Sequence, residues 1–270
     1  MRTRAPVSEA HRAEAGRYAA RRAETRRVEQ VRVEALRADQ MRANCRRAAL
    51  FAATPGVLVG FAALAAAWAA TSVVPGLVVG LVVGGLVAAA ARLLAVRLVM
   101  RLVGAVPAGS EAQPRTHNLL DGLCPSAGVT RPQVWVLDHQ VPNAMVVAAN
   151  PARARLILTT GLLDLLNRVE LEGVLAQLLM HLRSGDAVPA TIAVATGRAW
   201  FADRTSRGRE EAADLAASSL TCYPRGLAAS LERLSGELPV DGMAARLTAR
   251  LWLASPGTPP GPRAAALREL

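Results

Sequence analysis

Residues 170–186 read Glu170-Leu171-Glu172-Gly173-Val174-Leu175-Ala176-Gln177-Leu178-Leu179-Met180-His181-Leu182-Arg183-Ser184-Gly185-Asp186. Residues 171–182 are rich in helix formers, and Glu170 and Glu172 stand where carboxylates meet the positive end of a helix dipole. Upstream, residues 133–138 alternate and carry strand formers. Residues 144–149 and 156–160 read as further short strands, bounded by Asn150-Pro151 and Gly161. Residues 162–166 form a short helix before the quoted one. Downstream, residues 187–202 are mostly apolar, but they are only 16 long and Arg198 interrupts them, too short for a membrane span. Residues 207–234 return to a helical pattern that Pro224-Arg225-Gly226 breaks once. The four prolines of residues 255–262 mark a loop before a short final helix. Residues 105–270 therefore predict one α+β domain, mostly helical with a small sheet.

Residues 48–91 contain no charged residue and no histidine. As one helix these would reach ~66 Å, about twice the thickness of a bilayer's hydrocarbon core. Two spans and a turn fit instead. The expected hairpin, residues 48–101, has spans at 50–71 and 75–97, with Thr71-Ser72-Val73-Val74-Pro75-Gly76 as the turn. Gly56 and Gly60 lie four apart, as do Gly76, Gly80 and Gly84, a spacing that lets membrane helices approach closely. Arg46 and Arg47 precede the first span, and Arg92, Arg97 and Arg101 close the second. Positive charge at both outer ends predicts a multi-pass cell-membrane protein with both termini in the cytoplasm.

Residues 1–47 carry 13 arginines against 6 acidic residues. Arginine recurs every five residues from Arg12 to Arg47, and acids such as Glu29 and Glu34 stand three residues before the next arginine. Opposite charges at that spacing support a helix by roughly 0.2–0.5 kcal/mol per pair. A five-residue step turns about 140°, so the arginines spiral over all faces and leave no apolar stripe. One reading is an arm for anionic lipid or an acidic protein partner. The plainer reading is a charge-laced spacer, since the acids offset nearly half of the positive charge. No specific nucleic-acid contact is predicted.

Composition agrees with a membrane-held chain. The formal net charge is +11 and every basic residue is an arginine. Apolar residues make up 52% of the chain, yet aromatics only 3%, which places the apolar excess in aliphatic spans. The three cysteines are far apart, which excludes a disulfide scaffold or a cysteine-rich zinc module. The first apolar run begins near residue 48 behind the arginine-rich arm, unlike a secretory signal.

Several pieces then occur in a telling order: residues 134–138, Pro142-Asn143-Ala144, Thr159-Thr160-Gly161-Leu162-Leu163, the quoted 170–176 segment, His181 and Gly185-Asp186. Ser206-Arg207-Gly208-Arg209-Glu210, Ala213-Asp214, Pro259-Pro260 and residues 263–270 follow. In this order they resemble the HtpX-type membrane zinc metallopeptidases, and the hairpin matches that family's layout. The resemblance implies a zincin-like domain whose central helix bears His-Glu-x-x-His, with a third zinc ligand from a later helix.

The chemistry explains that spacing. Two histidines four apart converge on one Zn²⁺, and the intervening glutamate is general base for the bound water. Here the matching run is Gln177-Leu178-Leu179-Met180-His181. Gln177 stands at a lost ligand position and Leu178 at the general-base position. By the resemblance His181 and Glu210 remain as metal ligands, and Asn143, Asp186, Arg207 and Asp214 match the family. The pair of spans that members often insert before the third ligand is missing or reduced, since 28 residues separate His181 from Glu210. The C-terminal histidine that members often carry is absent, with Gly257-Thr258 in its region. His117 and His139 fit no ligand spacing. No catalytic residues and no cofactor are expected. The first reading is a pseudopeptidase used for binding or scaffolding. One alternative is an active zinc metalloendopeptidase with an atypical site, which alone would hold zinc. The other is a membrane scaffold working through the basic arm.

Overall fold

The computed structural model describes residues 39–44, 46–62, 64–66, 73–196, 206–255, 257 and 259–270. The expected arm at 12–38, the turn residues Thr71 and Ser72, residues 197–202 and Thr258 lie outside them. The chain divides into a unit of residues 1–42 and a unit of residues 43–270. In the first, Arg42 lies 3.7 Å from Asp39 in an exposed i,i+3 pair. All that follows concerns the second.

Two long apolar helices come first, α1 (Asp39–Ala66) and α2 (Val73–Val103). Among the described residues these are the two that are long and apolar enough to cross a membrane, by length and composition. Their glycines meet. A Cβ on Gly56 would stand 2.1 Å from the Gly84 carbonyl oxygen, and one on Gly60 2.7 Å from that of Gly80. Only hydrogen fits there, as the spacing of four suggested. Two expectations are corrected. The helix already begins at Val73, so Pro75 occupies its first turn, where the missing N–H costs nothing. It also runs beyond residue 97 to Val103, because Val99, Met100 and Val103 are buried against the sheet.

That sheet holds β1 (Val106–Pro107), β2 (Gln133–Leu137), β3 (Ala144–Val147) and β4 (Arg155–Thr159) in the order β1-β2-β4-β3. β2 and β4 are parallel, and β3 runs antiparallel to β4 with Ala144 opposite Leu158. Both faces are covered, which is why β3 and β4 are apolar almost throughout. Ala144, Val146, Leu156 and Leu158 join the larger core, whereas Met145, Val147 and Ile157 join the end of α2, Val194 and Trp252. The larger core comes from α3 (Pro114–Ala127), α4 (Thr160–Leu165) and α5 (Arg168–Ser184) together with the later helices. Helix α5 starts at a capping box: the Asn167 side chain accepts from the Val169 and Glu170 amides, and Glu170 accepts from the Asn167 amide at 2.9 Å. It stops at Gly185, which has φ of 75°.

Helix α6 (Ala187–Ala195) follows, then α7 (Ser206–Thr221) and α8 (Pro224–Arg233), the break falling at Pro224 as expected. Gly173 lets α5 and α8 touch, since a Cβ there would meet the Leu227 backbone nitrogen at 2.8 Å. Helices α9 (Gly242–Thr248) and α10 (Pro260–Arg268) complete the chain. The expected loop at 255–262 is shorter than its prolines suggested, because Pro260 and Pro262 sit in the first turn of α10.

Candidate functional site

Gln177 and His181 lie one turn apart on the face of α5 that looks toward α7, and Glu210 reaches them from α7. The three form a closed triangle. The Gln177 Nε2 lies 2.9 Å from His181 Nε2 and 3.1 Å from Glu210 Oε2, and the third side, His181 Nε2 to Glu210 Oε2, is 3.2 Å. Turning the amide round would place its oxygen 3.1 Å from a carboxylate oxygen, so the network selects the nitrogen. The Gln177 Oε1 is then buried without a partner. His181 Nε2 can accept from the amide when neutral, or donate to Glu210 when protonated. It does one at a time.

Charge favours the second state. Burial by itself would lower the His181 pKa, but the Glu210 carboxylate outweighs it and the net displacement is upward. Burial would raise Glu210, but His181 and Arg263 together hold it below the ordinary carboxylate value. Asp214, one turn beyond Glu210 on α7, takes both arms of the Arg263 guanidinium at 2.7 Å. Arg263 also stands 3.5 Å from Glu210 Oε2 and donates to the Leu253 carbonyl at 2.8 Å. Burial opposes its charge, and Asp214 and Glu210 reverse that, so Arg263 is held protonated.

Other expected positions have structural partners. Asp186 follows the end of α5. Its Oδ1 accepts from Asn44 at 2.9 Å, its Oδ2 accepts from Ser184, and Arg209 lies 3.9 Å away. Asn143 uses its whole amide on the backbone. Its nitrogen donates to the Glu237 and Ala254 carbonyls, and its oxygen accepts from the Ala144 and Ala254 amides. The Arg207 side chain lies outside what the structure describes. Leu178 is 2% exposed and belongs to the larger core, at the wall of a cavity. His117 binds the Ala108 carbonyl and Arg131, and His139 accepts from the Val141 amide, both apart from the triangle. Glu170 pairs with Arg233 at 3.2 Å.

The cavity, about 250 Å³, borders the triangle. Arg47, Phe51, Arg209, Arg250 and Trp252 contribute to its wall along with Gln177, His181 and Glu210. Sequence reasoning missed the first five as well as Arg263 and Asn44. Arg209 and Arg263 carried a signal, as parts of the segments that resemble the family, and Arg47 did as a flank of the first span. Among the described residues no group of three or more His, Cys, Asp and Glu is placed to hold a metal ion.

Comparisons with known proteins bear on the same segment. Residues 110–204 match Peptidase family M48, a span that includes Gln177 and His181 and ends before Glu210. A "Protease HtpX homolog" of Dictyoglomus turgidum is 30% identical over 188 aligned positions, covering 54% of this chain and 62% of the relative. One of Acidiphilium cryptum is 35% identical over 172 positions, covering 49% and 60%. One of Caldanaerobacter subterraneus subsp. tengcongensis is 40% identical over 90 positions, covering 33% and 30%. This chain spans about 62% of the length of the first of these relatives. At 54% of 270 residues, the chain fills only about 146 of the 188 aligned positions, so the relative carries residues that this chain lacks. No solved structure matches.

Proposed function

This chain is an HtpX-type member of peptidase family M48, and from that premise we propose that it is a membrane-anchored pseudopeptidase, a binding or scaffolding protein on a retained peptidase fold. The observation that carries the reading is the Gln177 amide nitrogen, 2.9 Å from His181 and 3.1 Å from Glu210. Tetrahedral zinc with bonds of about 2.0 Å spaces its ligand atoms about 3.3 Å apart. The triangle of 2.9, 3.1 and 3.2 Å is a slightly closed version of that arrangement. One of its corners is an N–H donor, which repels a cation. Arg263 already supplies positive charge 3.5 Å from Glu210 Oε2. The donors present do not fit zinc, and Leu178 offers no base. The amide takes over the task of joining α5 to α7.

The hairpin supplies the anchor. Arginines flank its outer ends, so both termini face the cytoplasm in this reading. The residues that the relative has in excess fit a second hairpin lost between His181 and Glu210. The basic arm of residues 1–47 adds an attraction to anionic lipid or an acidic partner.

The test is zinc content and casein cleavage by the full chain purified in non-ionic detergent. Zinc below ~0.1 per chain with no cleavage supports the reading. Cleavage abolished by a chelator or by His181→Ala overturns it in favour of an active peptidase with an atypical site.

A further inference from the structure

The triangle accounts for one wall of the cavity and leaves the chamber itself unused. An extended peptide would meet this protein's own chain at the start of β3. The outer edge of β3, where such a chain would pair, is taken by this protein's own segment: the Leu253 amide donates to the Ala144 carbonyl at 2.7 Å, and Trp252 bridges Met145. About 250 Å³ remains, below the usual range for drug-sized ligands, so the occupant is compact.

The wall states its chemistry. Arg47, Arg209 and Arg250 line the chamber. The two carboxylates of the wall are already engaged, Asp186 by Asn44 and Ser184 with Arg209 3.9 Å away, and Glu210 by Gln177, His181 and Arg263. Planar guanidinium forks suit phosphate oxygens. A phosphate cannot satisfy the buried acceptor Gln177 Oε1, which needs a donor such as a hydroxyl. Phe51 lines the chamber one helical turn beyond Arg47, and Arg47 immediately precedes the charge-free run of residues 48–91. In a membrane-anchored chain this is headgroup level.

We propose that the chamber binds a phosphate ester bearing a free hydroxyl, the chemistry shared by a phosphatidylglycerol headgroup and by free glycerol 3-phosphate. The guanidinium groups hold the phosphate, Gln177 Oε1 accepts from the hydroxyl, and Phe51 lies along the glycerol or acyl portion. The proposal rests on the anchored reading only for the source of the phosphate.

The experiment uses the full chain in nanodiscs of phosphatidylcholine with and without phosphatidylglycerol, released for native mass spectrometry. A matching thermal-shift titration in detergent uses glycerol 3-phosphate and inorganic phosphate. Phosphatidylglycerol should be retained in preference to phosphatidylcholine. Arg47→Gln with Arg250→Gln should weaken retention by at least about tenfold, the loss of one charge-assisted contact. Arg47→Gln alone, at an exposed side chain, keeps the test open if the double variant does not fold. Arg97→Gln, exposed on α2 and outside the chamber, should change nothing. Stabilisation by glycerol 3-phosphate beyond inorganic phosphate identifies a free ester as the source; binding of the lipid alone identifies the headgroup. Equal retention of the two lipids, with no shift from glycerol 3-phosphate, overturns the proposal. So does Arg97→Gln weakening retention as much as Arg47→Gln. Zinc measured in the same preparation tests the pseudopeptidase reading separately.

Discussion

Writing His-Glu-x-x-His into α5, by Gln177→His with Leu178→Glu, is the sharpest perturbation of this site. His181 and Glu210 already stand 3.2 Å apart, near the ~3.3 Å expected of two tetrahedral zinc ligands. A histidine at 177 projects from the same face of α5 and replaces the repelling N–H donor with a ligand. The cost lies at 178. Leu178 is 2% exposed, so removing it forfeits about 1.5–3 kcal/mol of apolar burial. Placing a carboxylate there costs several kcal/mol more, about 3–6 kcal/mol in all without metal, tempered because Leu178 borders the cavity. Zinc at a thousand times its dissociation constant returns about 4 kcal/mol. The double variant should therefore be destabilised without metal and recover most of its stability when zinc is added. Gln177→His alone should bind zinc with little loss of stability and stay inert, since no base accompanies it. The assay is thermal unfolding in detergent with and without zinc, alongside elemental analysis and casein cleavage. We expect no cleavage even from the double variant, because the family's C-terminal histidine is absent. A well-folded Gln177→His protein that binds no zinc would refute the reasoning, since the retained spacing would then not be a metal site's.

Three further outcomes follow from named contacts. His181 has a raised folded-state pKa, so its stabilising contribution is complete below its unfolded value near 6.5 and is lost as pH rises through the folded value. Glu210 is depressed, so its contribution is complete above its unfolded value of 4.5 and is lost as pH falls through the folded value. Denaturant titrations should accordingly show best stability between those two values and a decline on the alkaline side, and Glu210→Gln should abolish that decline. Asn143→Ala should cost about 3 kcal/mol or more in the same titrations, because four backbone groups lose a buried partner; a loss under about 1 kcal/mol would mean that water replaces the side chain. Gly56→Val should drive the two apolar helices apart, its Cβ meeting the Gly84 carbonyl at 2.1 Å, and should lower the unfolding temperature in detergent, whereas Gly85→Ala, with open space around it, should not.

Much of the architecture was legible because local patterns coincide with tertiary demand. Residues 133–138 alternate, and β2 forms there with Val134 inward. The segment led by Glu170 forms α5, although the sequence reading missed Asn167 as the other half of its capping box. Proline misled twice for one reason. Pro75, Pro260 and Pro262 were read as breakers, yet each sits in a first helical turn, where a missing N–H has no carbonyl to lose. The long extent of α2 was hidden too, because the burial of Val99–Val103 depends on a sheet formed later in the chain. The candidate site was legible at Gln177, His181 and Glu210, since spacing on α5 and the later helix were both in the sequence. Arg263 and Asn44 were not legible as partners. Asn44 meets Asp186 across 142 residues and Arg263 meets Asp214 across 49, and no local pattern reports such pairings.

Such pairings hold the helices around the triangle together. A catalytic zinc would tie α5 to α7 through its ligands. Here the same two helices are joined by Gln177 and by His181, both to Glu210, and α7 is joined to α10 by the Arg263–Asp214 fork. His181 and the fork's Arg263, 3.5 Å from Glu210, together hold that carboxylate below its ordinary value against the effect of burial. A lone Gln177→Leu change would leave that carboxylate with His181 from α5 and Arg263 from α10, and would remove the Gln177 contact between α5 and α7. The amide therefore reinforces a tie that His181 also makes. Leu178 could be exchanged for an apolar residue of similar volume at a cost under about 1.5 kcal/mol, because it packs as core. Position 177 could not, since its neighbours on both sides carry charge. A glutamine meets that demand with an uncharged amide that donates to Glu210.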